Sequence, residues 1–143
     1  MRIKKVLVPI DYSPGSLSAL RKAVEVVEQL DASLEILHVL DVPGGHARRD
    51  LEHFVSPVLK KGRRVQVHIE QGDAPWVIAR VAEREGYDLI VMGTHGRSGV
   101  RRALLGSVAE EVVRRSPVPV LTVRIGDDAT ARPPASRRMR KRR

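Results

Sequence analysis

Five short apolar runs alternate along this chain with longer stretches of helical period, and no other feature restricts the fold as strongly. "KVLVPI", from Lys5, and "YDLIVMG", from Tyr87, are nearly continuous apolar runs of strand length, the pattern of parallel strands covered on both faces. "SLEILHVL" and "PVPVLTVR" read as two more strands. Val65, Val67 and Ile69 alternate with Gln66, His68 and Glu70, the period of a half-exposed strand at a sheet edge. Between the first two strands, Ser13 caps a helix with Pro14 in its first position. Leu17, Leu20, Val24, Val27 and Leu30 share its buried face, and it ends near Asp31. Leu51, Phe54, Val55, Val58 and Leu59 predict a short helix that Pro57 either kinks or begins. "GDAPWVIARVAEREG" supplies a cap, a helix and a glycine stop, and "SVAEEVVRRS" is the last helix. The order β-α-β-α-β-α-β-α-β predicts an α/β domain: one open parallel five-stranded sheet with right-handed crossovers and helices on both faces. No period of about 20 to 50 residues recurs, which excludes a solenoid.

At 143 residues and 42% hydrophobic, such a domain buries a core without disulfides or a structural metal. There is no cysteine, so thiolate zinc sites and thiol nucleophiles are excluded and an intracellular location is expected. The first apolar run, about six residues, is shorter than a signal core, and none approaches the about 20 residues of a membrane span. A cytoplasmic protein without membrane insertion is the expectation. The net charge of +9 resembles that of a nucleic-acid binder until it is located. Residues 132–143 hold seven Lys or Arg and no acid, leaving 19 bases against 17 acids in residues 1–131. The expected organisation is a folded domain over 1–126 and a disordered basic tail over 127–143, capable of nonspecific polyanion contact. Aromatic residues make up 3% of the chain, too few for a surface on which single-stranded bases stack.

Function is sought where ligands bind open parallel sheets, beyond the carboxyl ends of the strands at the point where strand order reverses. Two loops carry suitable chemistry: the one after the first strand, with Asp11, and "GTHGRSGVRRALLGS" after the fourth. If these strands are neighbours, both loops face one crevice. Gly93 and Gly96 are suited to positive φ and to close approach of a ligand to the backbone. Gly106 and Ser107 open the next helix, where unpaired N–H groups and the macrodipole favour a phosphate. A helix end contributes only about 0.3 to 1 kcal/mol per charge at exposed sites, so several donors must converge. Asp11 is either a ligand group or an Asx-turn residue. His95 reads as a hydrogen-bonded loop residue, since no carboxylate is assigned to orient it as a base. Met92 and Val108 are either crevice wall or core. Arg97, Arg101 and Arg102 either neutralise phosphate or are solvated.

The glycines follow a spacing of Gly93, two residues, Gly96, nine residues, then Gly106 and Ser107. With "VLVPIDYSPGSLSAL", "LEILHVL" and "DLIVMGTHGRSG" in order, the chain resembles the nucleotide-binding branch of the universal stress protein family over residues 3–125. In that branch G-x2-G-x9-G-[ST] is the ATP-binding motif. The resemblance implies sheet order 3-2-1-4-5, a homodimer through the last strand, and ATP or a related adenine nucleotide as ligand, with or without Mg2+. It implies Asp11 at the ribose or adenosine end with Pro9 beside it, and Val39 meeting adenine through its backbone. Met92, Gly93, Thr94, His95 and Gly96 would line the crevice, and Gly106, Ser107 and Val108 would hold the phosphates. The short segment around Pro57 and the basic tail depart from the family pattern. The function implied is that of a stress-response regulator or sensor with little or no turnover. The alternatives are a slow ATP hydrolase and a polyanion binder using the tail. No Walker A lysine motif is present, and Asp11 is the one obvious acid near the motif.

Overall fold

In the computed structural model the described residues are 1–60, 63, 65–95 and 105–125. The expected tail over 127–143 lies outside them. The chain runs β1 (Lys5–Pro9), α1 (Pro14–Leu30), β2 (Ser33–Leu40), α2 (Ala47–Val55), β3 (Gln66–Gln71), α3 (Ala74–Arg84), β4 (Leu89–Gly93), α4 (Ser107–Arg115) and β5 (Val120–Val123). The five strands form one sheet in the order β3-β2-β1-β4-β5, and every pairing is parallel. β1 and β4 are therefore neighbours, and the sheet order implied by the family resemblance is the one observed.

Alternate side chains divide the core into two halves. Val6, Val8, Ile36 and Val91 pack on the face covered by α1 and α2, with Leu20, Val27 and Leu51. Leu7, Leu37, Ile90 and Met92 point the other way, onto Ile78 and Val81 of α3 and Val112 of α4. Each central strand is thus apolar on both faces, which accounts for the unbroken runs in its sequence. Among the described residues no helix is long and apolar enough to cross a membrane.

Local signals place the helix ends. Ser13 Oγ accepts from the Ser16 amide at 3.1 Å, and Pro14 opens α1. Asp31 closes it with a φ of 53°, in the left-handed region. α2 departs from the sequence expectation, because it begins at Ala47 and is over before Pro57. Pro57 has no N–H with which to reach the His53 carbonyl four residues back. The Ser56 hydroxyl donates to that carbonyl instead, at 2.9 Å. Val58 and Leu59 continue the apolar face from the turn that follows, still packed on the core. At α3, Asp73 occupies the capping position without a side-chain hydrogen bond, while Gly86, at a φ of 70°, supplies the stop. β3 is an edge strand, as its alternation predicts, and Arg48 of α2 donates to its Val67 carbonyl at 2.9 Å, covering part of that edge.

A polar cluster lies at the amino ends of the strands. Glu35, buried on the α3 side of β2, accepts from the Tyr87 hydroxyl, lies 2.6 Å from His68 Nε2 and 3.8 Å from Lys5 Nζ. The Lys5 ammonium also sits 4.4 Å above the centre of the Tyr87 ring. Burial alone would raise the Glu35 carboxyl, but hydrogen bonds from Tyr87 and His68 and the Lys5 charge outweigh it and hold the group below its ordinary 4.5. A carboxylate whose folded value is depressed contributes stability above its unfolded value and loses that contribution as pH falls through the folded one. Glu35→Gln should therefore cost about 1–3 kcal/mol at neutral pH, and the gap to wild type should narrow below about pH 4.5. Urea unfolding of both proteins across that range measures it; a gap independent of pH would show that the carboxylate is not held in this way.

Candidate functional site

β1 stops while β2 is still running: their last residue pair is Pro9 with Leu37. Its last bond to β2 is from the Ile10 amide to the Leu37 carbonyl, at 2.8 Å, while β2 continues to Leu40. The gap opens a cleft at the carboxyl ends of the strands, with a cavity volume of about 90 Å³. Pro9, Asp11, Val39, Met92, Gly93, His95 and Val108, all expected from the sequence, line it. Thr94, Gly106 and Ser107 do not. Thr94 is 4% exposed, its amide donates to the Val123 carbonyl at 3.0 Å, and its own carbonyl accepts from the Gly106 amide. These two residues tie the exit of β4 to the start of α4 and support the cleft from behind. Gly96 lies outside the described residues, as do Arg97, Arg101 and Arg102.

The expectation of positive φ at Gly93 is not met. Among the described glycines only Gly44, Gly45, Gly72 and Gly86 adopt it. A Cβ on Gly93 would instead stand 2.8 Å from the Gly15 carbonyl carbon and oxygen, and one on Gly15 would stand 2.6 Å from the His95 carbonyl oxygen. Both glycines are required by backbone packed on backbone, where the first turn of α1 presses on the end of β4. Gly93 thus admits the chain itself, and the cleft wall follows from that contact.

Asp11 adopts the Asx-turn arrangement and also lines the cleft. Its Oδ1 accepts from the Ser13 amide at 3.0 Å and from the Ser13 hydroxyl, an Asx-turn arrangement. Its carboxylate nevertheless faces the cleft, and no described residue donates to Oδ2. Ser13 orients the acid while capping α1, so the helix start and the site share one set of hydrogen bonds.

Two groups of backbone atoms at the cleft lack partners among the described residues. In α4 the first internal bond runs from the Glu110 amide to the Gly106 carbonyl, at 2.9 Å. The amides of Ser107, Val108 and Ala109 precede it, and Val108 and Ala109 line the cleft. They form a helix N-terminus of the kind that attracts anions. The Gly106 amide, expected to hold phosphate, is already bonded to Thr94 and is not one of these donors. On β2, Val39 turns its N–H and C=O toward β1 at a level where β1 has ended, so both remain open. The floor between these groups is apolar, made by Leu37, Ile78 and Met92.

Sequence reading missed Ile78 and Ala74 because α3 returns from the outer strand β3, and only the sheet order brings its first turn over the cleft. Ala109 was findable: as the third residue of a helix whose first two were already named, it carries the next orphan amide. Ser13 was legible only as a cap residue, and nothing in the sequence singled out Ser16. Among the described residues no group of three or more His, Asp or Glu side chains is placed to hold a metal ion.

Residues 2–124 match the model of the universal stress protein family. A universal stress protein of Methanocaldococcus jannaschii is 34% identical, with 85% of this chain and 82% of that protein covered. The fold is shared with a universal stress protein solved in complex with cAMP, at 27% identity and a TM-score of 0.68, covering 86% of this chain and 98% of that one. It is shared also with the Archaeoglobus fulgidus protein in complex with dAMP, at 25% identity and a TM-score of 0.66, covering 85% and 98%. The chain belongs to the universal stress protein family.

The Gly15–Gly93 contact yields a stability prediction. Gly93→Ala places a methyl group against backbone that has no rotamer with which to move away, so a loss of about 1–3 kcal/mol is expected. Denaturant unfolding measures it, and a variant as stable as the parent would mean that the two backbones are not in contact.

Proposed function

We propose that the cleft binds an adenine nucleotide and that the protein acts as a stress-response sensor or regulator that holds its ligand without rapid turnover. One observation carries this reading: three kinds of recognition group line one cleft, from the end of β2, the loop after β1 and the start of α4. The open donor and acceptor of Val39 suit the edge of an adenine base, Asp11 suits ribose hydroxyls, and the orphan amides of Val108 and Ala109 suit a phosphate. The adenine nucleotides bound by the two solved relatives support the same class of ligand. A magnesium ion would be held mainly by the phosphates, since among the described residues Asp11 is the one carboxylate lining the cleft. That single acid, engaged with Ser13, also favours holding over hydrolysis.

Calorimetry with adenosine, AMP and ATP separates the two ends. Gly106 has an extended backbone that any residue adopts without strain, and Asp is a strong N-cap. Gly106→Asp should fold, take the orphan amides for its own carboxylate, and weaken ATP about tenfold or more, equivalent to about 1.4 kcal/mol, while sparing adenosine. Asp11→Ala should weaken all three ligands together. Unchanged ATP affinity in folded Gly106→Asp would refute the phosphate assignment, and several turnovers per second by wild type would make the protein an enzyme. The molecule that co-purifies with the protein, identified by mass spectrometry, names the ligand.

We also infer a homodimer through β5. That strand ends the sheet, with Leu121 in it at 38% exposure and Ile125 just past its end at 43%, and an apolar edge invites pairing with a second copy. Light scattering at micromolar concentration should give a dimer, and Leu121→Lys a folded monomer. A monomeric wild type overturns the assembly.

A further inference from the structure

We propose that His38, which does not line the cleft, is a positioning residue that keeps the Val39 amide open for the ligand. The proposal rests on the adenine reading given above. Alternate residues of β2 turn their backbone groups to opposite neighbours. Ser33 donates to the Lys4 carbonyl and Leu37 accepts from the Ile10 amide, each at 2.8 Å on the β1 side, whereas Leu40 accepts from the Gly72 amide at 3.1 Å, beside β3. Val39 falls on the β1 side. In a continuing parallel ladder its amide would donate to the Ile10 carbonyl.

That bond is not made. The Ile10 carbonyl accepts instead from the His38 side chain, with Nδ1 at 2.7 Å. A carbonyl only accepts, so the imidazole carries its proton on Nδ1. His38 reaches over from the face opposite the Val39 side chain, where the Tyr12 ring meets it edge-on with centroids 4.7 Å apart. Tyr12 in turn packs edge-on against Phe54 of α2, at 5.1 Å. Tyr12 also has a φ of 66°, in the left-handed region, so the chain leaves the ladder at this residue and gives no partner to the Val39 carbonyl. The imidazole thus competes for the one carbonyl that would otherwise accept from the Val39 N–H. Without it, the Ile10 carbonyl has that N–H as its nearest ladder donor, and β1 and β2 would zip up by one more bond. His38 therefore decides whether the cleft offers a donor to a base ring nitrogen or only the Val39 carbonyl.

Two variants and two measurements test this. His38→Phe keeps a ring for Tyr12 to pack on but has no donor. His38→Asn restores one, because its Nδ2 is as many bonds from the backbone as Nδ1 of histidine. In the ligand-free protein, hydrogen exchange of the Val39 amide followed by NMR should be fast in wild type and His38→Asn, and about tenfold or more slower in His38→Phe. Calorimetry then compares adenosine with 1-deazaadenosine, which lacks the ring nitrogen that would accept from Val39. Wild type and His38→Asn should prefer adenosine about tenfold, and in His38→Phe the preference should fall toward one. Equal Val39 exchange in wild type and His38→Phe overturns the role of His38, as does an adenosine preference that survives in His38→Phe. A wild type that binds neither nucleoside sinks the adenine reading, and the exchange rates still decide the role of His38.

Discussion

The site depends on one mismatch in the sheet: the central strand ends before its neighbour does. β1 makes its last ladder bond through Ile10, and the chain then turns through Asp11 and a left-handed Tyr12 into the capped start of α1. β2 runs on to Leu40. Paired backbone groups inside a sheet are satisfied and inert, so recognition groups appear only where pairing lapses. The lapse here leaves the Val39 N–H and C=O facing an apolar floor. A strand one pair longer would have filled the same space with ladder and left no cleft.

What keeps the lapse from collapsing is the contact on the other side of β1. Gly15 lies against Gly93 and the His95 carbonyl so closely that neither glycine has room for a Cβ. This seats the first turn of α1 on the exit of β4, and with it Ser13 and the carboxylate it orients. The Gly106 amide, bonded to Thr94, ties the start of α4 to the same exit. Backbone contacts of this kind have little freedom to relax. They set the distance between the acid of one loop and the helix amides of the other without using any side chain that a ligand would need.

The two ends of the sheet divide the labour. At the carboxyl ends, polar groups are left open; at the amino ends, Glu35, His68, Tyr87 and Lys5 satisfy one another, and no buried side-chain polar atom among the described residues lacks a partner. A satisfied buried network strengthens a structure, and an unsatisfied one weakens it unless a ligand completes it. The contrast separates the satisfied end of the domain from the open one more sharply than burial does.

Much of this is legible in the chain itself. Strand and helix periods are local, so the nine elements and their order follow from apolar spacing, and Ser13, Pro14, Asp31 and Gly86 mark helix ends through chemistry within a few residues. The glycine spacing from Gly93 to Gly106 likewise points to the exit of β4 and the start of α4, where Gly93, Val108 and Ala109 line the cleft. The reasons behind particular residues are not local. Only the packed sheet shows that Gly93 makes room for Gly15, that the Gly106 amide is already engaged by Thr94, that Ala74 and Ile78 arrive from a distant crossover, and that His38 takes the carbonyl Val39 would have used. Propensity and capping act over a turn of chain, and the sequence states them directly. Which backbone groups are left without partners depends on strand order, register and the approach of elements far apart in sequence, and those are settled only when the sheet and both helical layers close together.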